Sequence, residues 1–149
     1  MNEKRLKYIN NEILNKTNKE YGEFFKDYSW NVNGYDYNIK LDLVYNNWIK
    51  DIKVNRRNVK NLFSYLNKSS ISVDGILVEE LMKSGNIHNH LLIYTNSKIG
   101  TFKSKVFGYW SKVGSLNCVK YDSGKNGYDY LSKHLGKTQF NNWELISLL

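Results

Sequence analysis

The chain has 149 residues, 41% of them hydrophobic and 15% aromatic, which excludes a disordered tail and suits one domain spanning residues 1–149. No apolar run approaches the roughly 20 residues that cross a bilayer, and the opening MNEKRLKYIN lacks the apolar stretch of a secretory signal. The single Cys118 excludes an internal disulfide, so a cytoplasmic, reducing setting is expected, and the net charge of +8 points to a polyanionic partner.

Residues 3–27 carry Leu6, Ile9, Ile13 and Leu14, then Tyr21, Phe24 and Phe25, at helical spacing and predict one or two helices. Ile39, Leu41, Leu43 and Tyr45 alternate with other residues and predict a half-buried strand. Residues 57–66 form a helical stripe through Val59, Leu62, Phe63 and Leu66. Residues 73–81 and 87–95 read as strands, joined as a hairpin by Lys83-Ser84-Gly85-Asn86. A helix over 98–112, a short strand over 116–121, a loop over 122–127 and a helix over 128–137 follow, with a short closing element from 141. This order predicts an α+β fold, a central antiparallel sheet with helices packed on it.

The segment Ile87-His88-Asn89-His90-Leu91-Leu92-Ile93 carries the chemistry. Residues two apart on a strand share a face, so His88 and His90 project together and can hold one metal ion between them. A hard cation also wants oxygen, and Glu79 and Glu80 close the preceding strand. An odd-numbered turn puts Glu80 on the histidine face, whereas a two-residue turn puts Glu79 there, because a one-residue slip reverses every side chain. The pattern alone leaves the two glutamates tied.

Glu80, Gly85 and His88-Asn89-His90 with apolar residues after them resemble the second motif of the HUH endonucleases, which include rolling-circle replication initiators, relaxases and single-strand transposases. Tyr130-Leu131-Ser132-Lys133, with Lys137 further on, looks like their third motif, and the strand at 40–45 like their weak first one. The resemblance spans residues 37–137. Asn89 departs from the family's usual bulky apolar residue and should face the covered side of the sheet. His134 stands where two-tyrosine members place a second nucleophile, so a single-tyrosine enzyme is expected.

The resemblance implies a ferredoxin- or RRM-like fold and a replication initiator (Rep) that nicks single-stranded DNA at an origin hairpin or nick site. It favours Glu80 over Glu79 as the ligand joining His88 and His90 around Mn²⁺ or Mg²⁺. Tyr130 is then the nucleophile, leaving a 5′-phosphotyrosine and a free 3′-hydroxyl, and Lys133, one helical turn on, steadies the phenolate or positions a phosphate. His134 shares that helix face and is read as an ordinary surface residue. Lys137 is a candidate contact to the DNA backbone. The densest basic stretch, residues 50–60 with Arg56 and Arg57, is expected to be a phosphate-contacting loop. Trp48, Tyr109 and Trp110 are candidate stacking platforms for unpaired bases.

No Gly-x-x-x-x-Gly-Lys phosphate loop is present, so strand separation is expected from a separate helicase. A membrane partner is not expected, and a monomer and a homodimer both remain open, as does a viral, plasmid or transposon source. Two other readings stand beside the initiator. One is a single-strand transposase with the same ligands, whose tyrosine usually lies further beyond the histidines. The other is a non-catalytic ferredoxin-like nucleic-acid binder, for which metal removal changes nothing.

Overall fold

A computed structural model describes residues 36–121 and 142–148, together with the isolated positions 23 and 26. The predicted helices over 3–27 and 128–137 fall outside the described span. Within it the order is β1 (Ile39–Tyr45), α1 (Ile52–Lys68), β2 (Val73–Leu81), β3 (Ile87–Thr95), α2 (Ile99–Trp110), β4 (Gly114–Lys120) and β5 (Trp143–Leu148). The strands form one antiparallel sheet in the order β4-β1-β3-β2-β5, with β3 at its centre. This is the expected α+β architecture. The closing element from residue 141 is a full edge strand paired with β2.

One face of the sheet carries Leu41, Leu43, Leu77, Leu91 and Ile93, and these form one core with Val59, Leu62, Phe63 and Leu66 of α1 and Phe102, Val106 and Trp110 of α2. Each of these buries an apolar side chain, a gain of about 1.5–3 kcal/mol for a residue such as Leu or Phe. The other face has an apolar belt of its own. Ile76, Val78 and Leu92 are at most 1% exposed, beside the buried Trp143 and Leu145 of β5. Among the described residues no helix is long and apolar enough to cross a membrane.

Helix α1 begins five residues before the expected stripe. Asp51 caps it, its Oδ1 accepting from the backbone N–H of Lys53 at 2.8 Å and Val54 at 3.3 Å. Its buried stripe is Asn55, Val59, Leu62, Phe63 and Leu66, so a polar residue holds the first position and interrupts the apolar pattern. The basic stretch expected as a loop is therefore mostly helix, with only Lys50 and Asp51 ahead of it.

Candidate active site

The β2–β3 connection decides the tie between the two glutamates. Leu81 pairs with Ile87, leaving residues 82–86, an odd-numbered turn. Met82 N–H donates to Asn86 O at 2.9 Å and Gly85 N–H to Met82 O at 2.8 Å. Gly85 has φ +87°, a left-handed conformation that a residue without Cβ adopts at little cost. In this register Glu80 lies opposite His88, while His90 lies between Val78 on β2 and Asp42 on β1. Directly opposed residues share a face. Asp42, Glu80, His88 and His90 thus stand on one side of the sheet, and Glu79 and Asn89 on the side covered by the helices.

Glu80 does not turn to the histidine opposite it. Its Oε1 lies 2.9 Å from Nε2 of His90, a diagonal contact across the strands, and the other ring nitrogen, Nδ1, lies 2.9 Å from Asp42 Oδ1. His90 is only 8% exposed. Burial works to lower its pKa, but hydrogen bonds and charge from Asp42 and Glu80 outweigh it, and the net shift is upward. His88 is half-buried on the same face. Glu80 and His90 are brought together, yet among the described residues no three His, Cys, Asp or Glu side chains gather as a ready-made metal cluster.

Behind this site, on the helix side, lies a buried polar network. Asn55 and Asn89 exchange amide hydrogen bonds, Asn55 Nδ2 donating to Asn89 Oδ1 at 2.7 Å and Asn89 Nδ2 to Asn55 Oδ1 at 2.9 Å. Asn55 Nδ2 also donates to Glu79 Oε2 at 2.6 Å, and the Tyr45 hydroxyl donates to Asn55 Oδ1 at 2.6 Å. Burial raises the pKa of Glu79 against the opposing pull of Asn55 and Arg56, and burial likewise raises that of Tyr45. Satisfied buried networks of this kind hold elements in one arrangement. This one ties α1 to the middle of β3, between the two histidines, and explains the polar residue at position 89.

Arg56, expected as a DNA contact, is an ion-pair partner here. Its Nε and Nη2 each lie 2.9 Å from Glu79 Oε1, and its Nε lies 3.8 Å from Glu144. Arg57 on the next position is exposed. Of the three aromatic platforms considered, Trp110 is fully buried, Tyr109 packs on Tyr65 with ring centroids 5.0 Å apart, and Trp48 is 65% exposed. Tyr130, Lys133, His134 and Lys137 lie outside the described residues.

Two residues at the site are not singled out by the sequence. Asp42 reads locally only as a polar member of an alternating strand, since nothing nearby says that β1 pairs with β3. Asn55 sits on the buried stripe of α1, and its place one helical turn before Val59 is the available signal. The carboxylate of Asp42 has a testable consequence. A carboxylate that accepts from the far nitrogen of a ligating histidine fixes its tautomer and orientation, and losing it typically costs about 10–100-fold in metal affinity. Asp42→Ala is expected to weaken Mn²⁺ binding by about that factor in a calorimetric titration, with the far-UV circular dichroism of the wild type.

The family model for the replication-associated protein ORF2 family matches residues 41–139. No curated protein and no solved structure matches the chain.

Proposed function

The chain belongs to the replication-associated protein ORF2 family, and from that premise we propose that it initiates replication by nicking single-stranded DNA with a tyrosine. The observation that carries this reading is the pairing of Glu80 with His90 across the two central strands, with His88 beside them on the same face. Bonds of about 2.1 Å at right angles place neighbouring ligand atoms about 3 Å apart, so the 2.9 Å between Glu80 Oε1 and His90 Nε2 suits two donors of one hard cation. One carboxylate and two imidazoles are a donor set that Mn²⁺ or Mg²⁺ accepts.

Glu80, His88 and His90 would hold the ion, and Asp42 would keep the Nε2 lone pair of His90 directed at it. When bound, the ion supplies charge that polarises the scissile phosphate and offsets the negative charge of the transition state. Tyr130 attacks phosphorus, the new bond running from its phenolic oxygen while the bond to the 3′ oxygen breaks. The products are a 5′-phosphotyrosine and a free 3′-hydroxyl, from which rejoining runs as the reverse reaction. A free phenol titrates near pH 10, so Lys133, one turn along the predicted helix, would favour the phenolate. The family match to replication-associated proteins favours this role over transposition.

The test is a pool of single-stranded oligonucleotides incubated with the protein and Mn²⁺, resolved on a denaturing gel. A protein–DNA adduct that disappears in EDTA is the expected result. Tight binding without any adduct across a diverse pool would replace the nuclease with a non-catalytic binder.

A further inference from the structure

Trp48 is the most exposed of the large hydrophobic side chains among the described residues, at 65%. It sits in the short connection between β1 and α1, and that connection is pinned. Ile49 N–H donates to Asn86 Oδ1 at 3.0 Å, and Ile87 N–H donates to Ile49 O at 3.0 Å. The indole is therefore carried on backbone fixed to the first residue of β3, next to His88. Lys50 Nζ lies over the Trp48 ring, 5.1 Å from its centroid. The Lys50 side chain also runs along the β2–β3 turn, where a Cβ added to Gly85 would meet Lys50 Cε at 3.3 Å. Exposed Lys53 and Lys83 flank the same end of the sheet.

An aromatic ring left in water beside an ammonium, at the end of the sheet that carries Glu80 and His88, matches the needs of an unpaired nucleotide. The base has a π-face to stack and the phosphate a charge to neutralise. We propose that Trp48 and Lys50 form a subsite for one unpaired nucleotide of the DNA strand, the indole stacking on its base and the Lys50 ammonium meeting its phosphate. This rests on the nicking function proposed above. It goes beyond that function in assigning the nucleotide-holding surface to the β1–α1 connection. Stacking is nearly indifferent to base identity, so the subsite holds the strand without reading its sequence.

Fluorescence anisotropy with a labelled oligodeoxythymidylate, in EDTA so that binding is read apart from cleavage, tests the subsite. Stacking of one base is worth a fold-change of about ten or more on loss of the ring. Trp48→Ala is expected to weaken binding by that factor with an unchanged thermal midpoint, and Trp48→Phe to restore most of it. Lys50→Met is expected to flatten the salt dependence by about one counterion. Equal affinity of wild type and Trp48→Ala would overturn the subsite, and if wild type still forms its Mn²⁺-dependent adduct the nicking function survives alone. Wild type that neither binds the oligonucleotide nor forms an adduct would overturn both.

Discussion

Tyr130→Phe is expected to abolish the covalent adduct while leaving single-stranded DNA binding within about threefold of wild type. The substitution removes one oxygen and nothing else. That oxygen is the atom that bonds to phosphorus, so no phosphotyrosine can form at this position however well the phosphate is held. The ring survives, along with any stacking or packing it provides. Binding from Lys and Arg contacts to phosphate does not depend on a phenolic hydroxyl, so affinity and catalysis should separate. The paired measurement is a denaturing gel for the adduct and anisotropy for affinity, on one oligonucleotide. An adduct that persists would move the nucleophile, and Tyr128 is then the next to substitute. With twelve tyrosines in the chain, the spacing to Lys133 is what singles out Tyr130.

The parts of the fold legible in the sequence are those whose signal is local. Alternation marks β1, β2 and β3, and the Lys83–Asn86 segment marks the hairpin, because strand pleating and turn chemistry act over a few residues. The start of α1 is obscured by Asn55, a polar residue on a buried stripe, whose partners Asn89 and Glu79 are 34 and 24 positions away. The histidine pair is visible for the same local reason as the strands. Which glutamate faces it depends on one residue of turn length, and the Met82–Asn86 turn resolves that in favour of Glu80. Asp42 is hidden for another reason. Its contact with His90 spans 48 positions and exists only because β1 pairs with β3. The two faces of the sheet divide the labour: residues 79 and 89 anchor α1, and residues 80, 88 and 90 remain for chemistry.

The stability of that arrangement depends on a glycine at the other end of the sheet. Gly114 opens β4 opposite Tyr45, and a Cβ placed there would fall on the backbone carbonyl oxygen of Val44 and meet Trp110 Nε1 at 3.0 Å. Neither neighbour is free to give way. The Val44 carbonyl belongs to β1 and accepts from the indole N–H of Trp110 at 3.3 Å, and Trp110 is fully buried against Tyr45. Gly114→Ala must therefore push β4 off β1 or break the indole hydrogen bond. Overpacking of this kind costs about 3 kcal/mol. For a chain of this size that is a fall of about 6–12 °C in the thermal midpoint. Gly108 supplies the control, since a Cβ there meets nothing within 4 Å and the position lies inside α2. Gly108→Ala is expected to raise stability by about 0.5–1 kcal/mol, from the lower helix propensity of glycine. Differential scanning calorimetry of the two variants should move the midpoint in opposite directions for the same added methyl group. A Gly114→Ala protein as stable as wild type would mean that β4 does not approach β1 this closely. Val44 pairs with His88 on its other side, so any displacement at Gly114 also reaches the strand that carries the histidines.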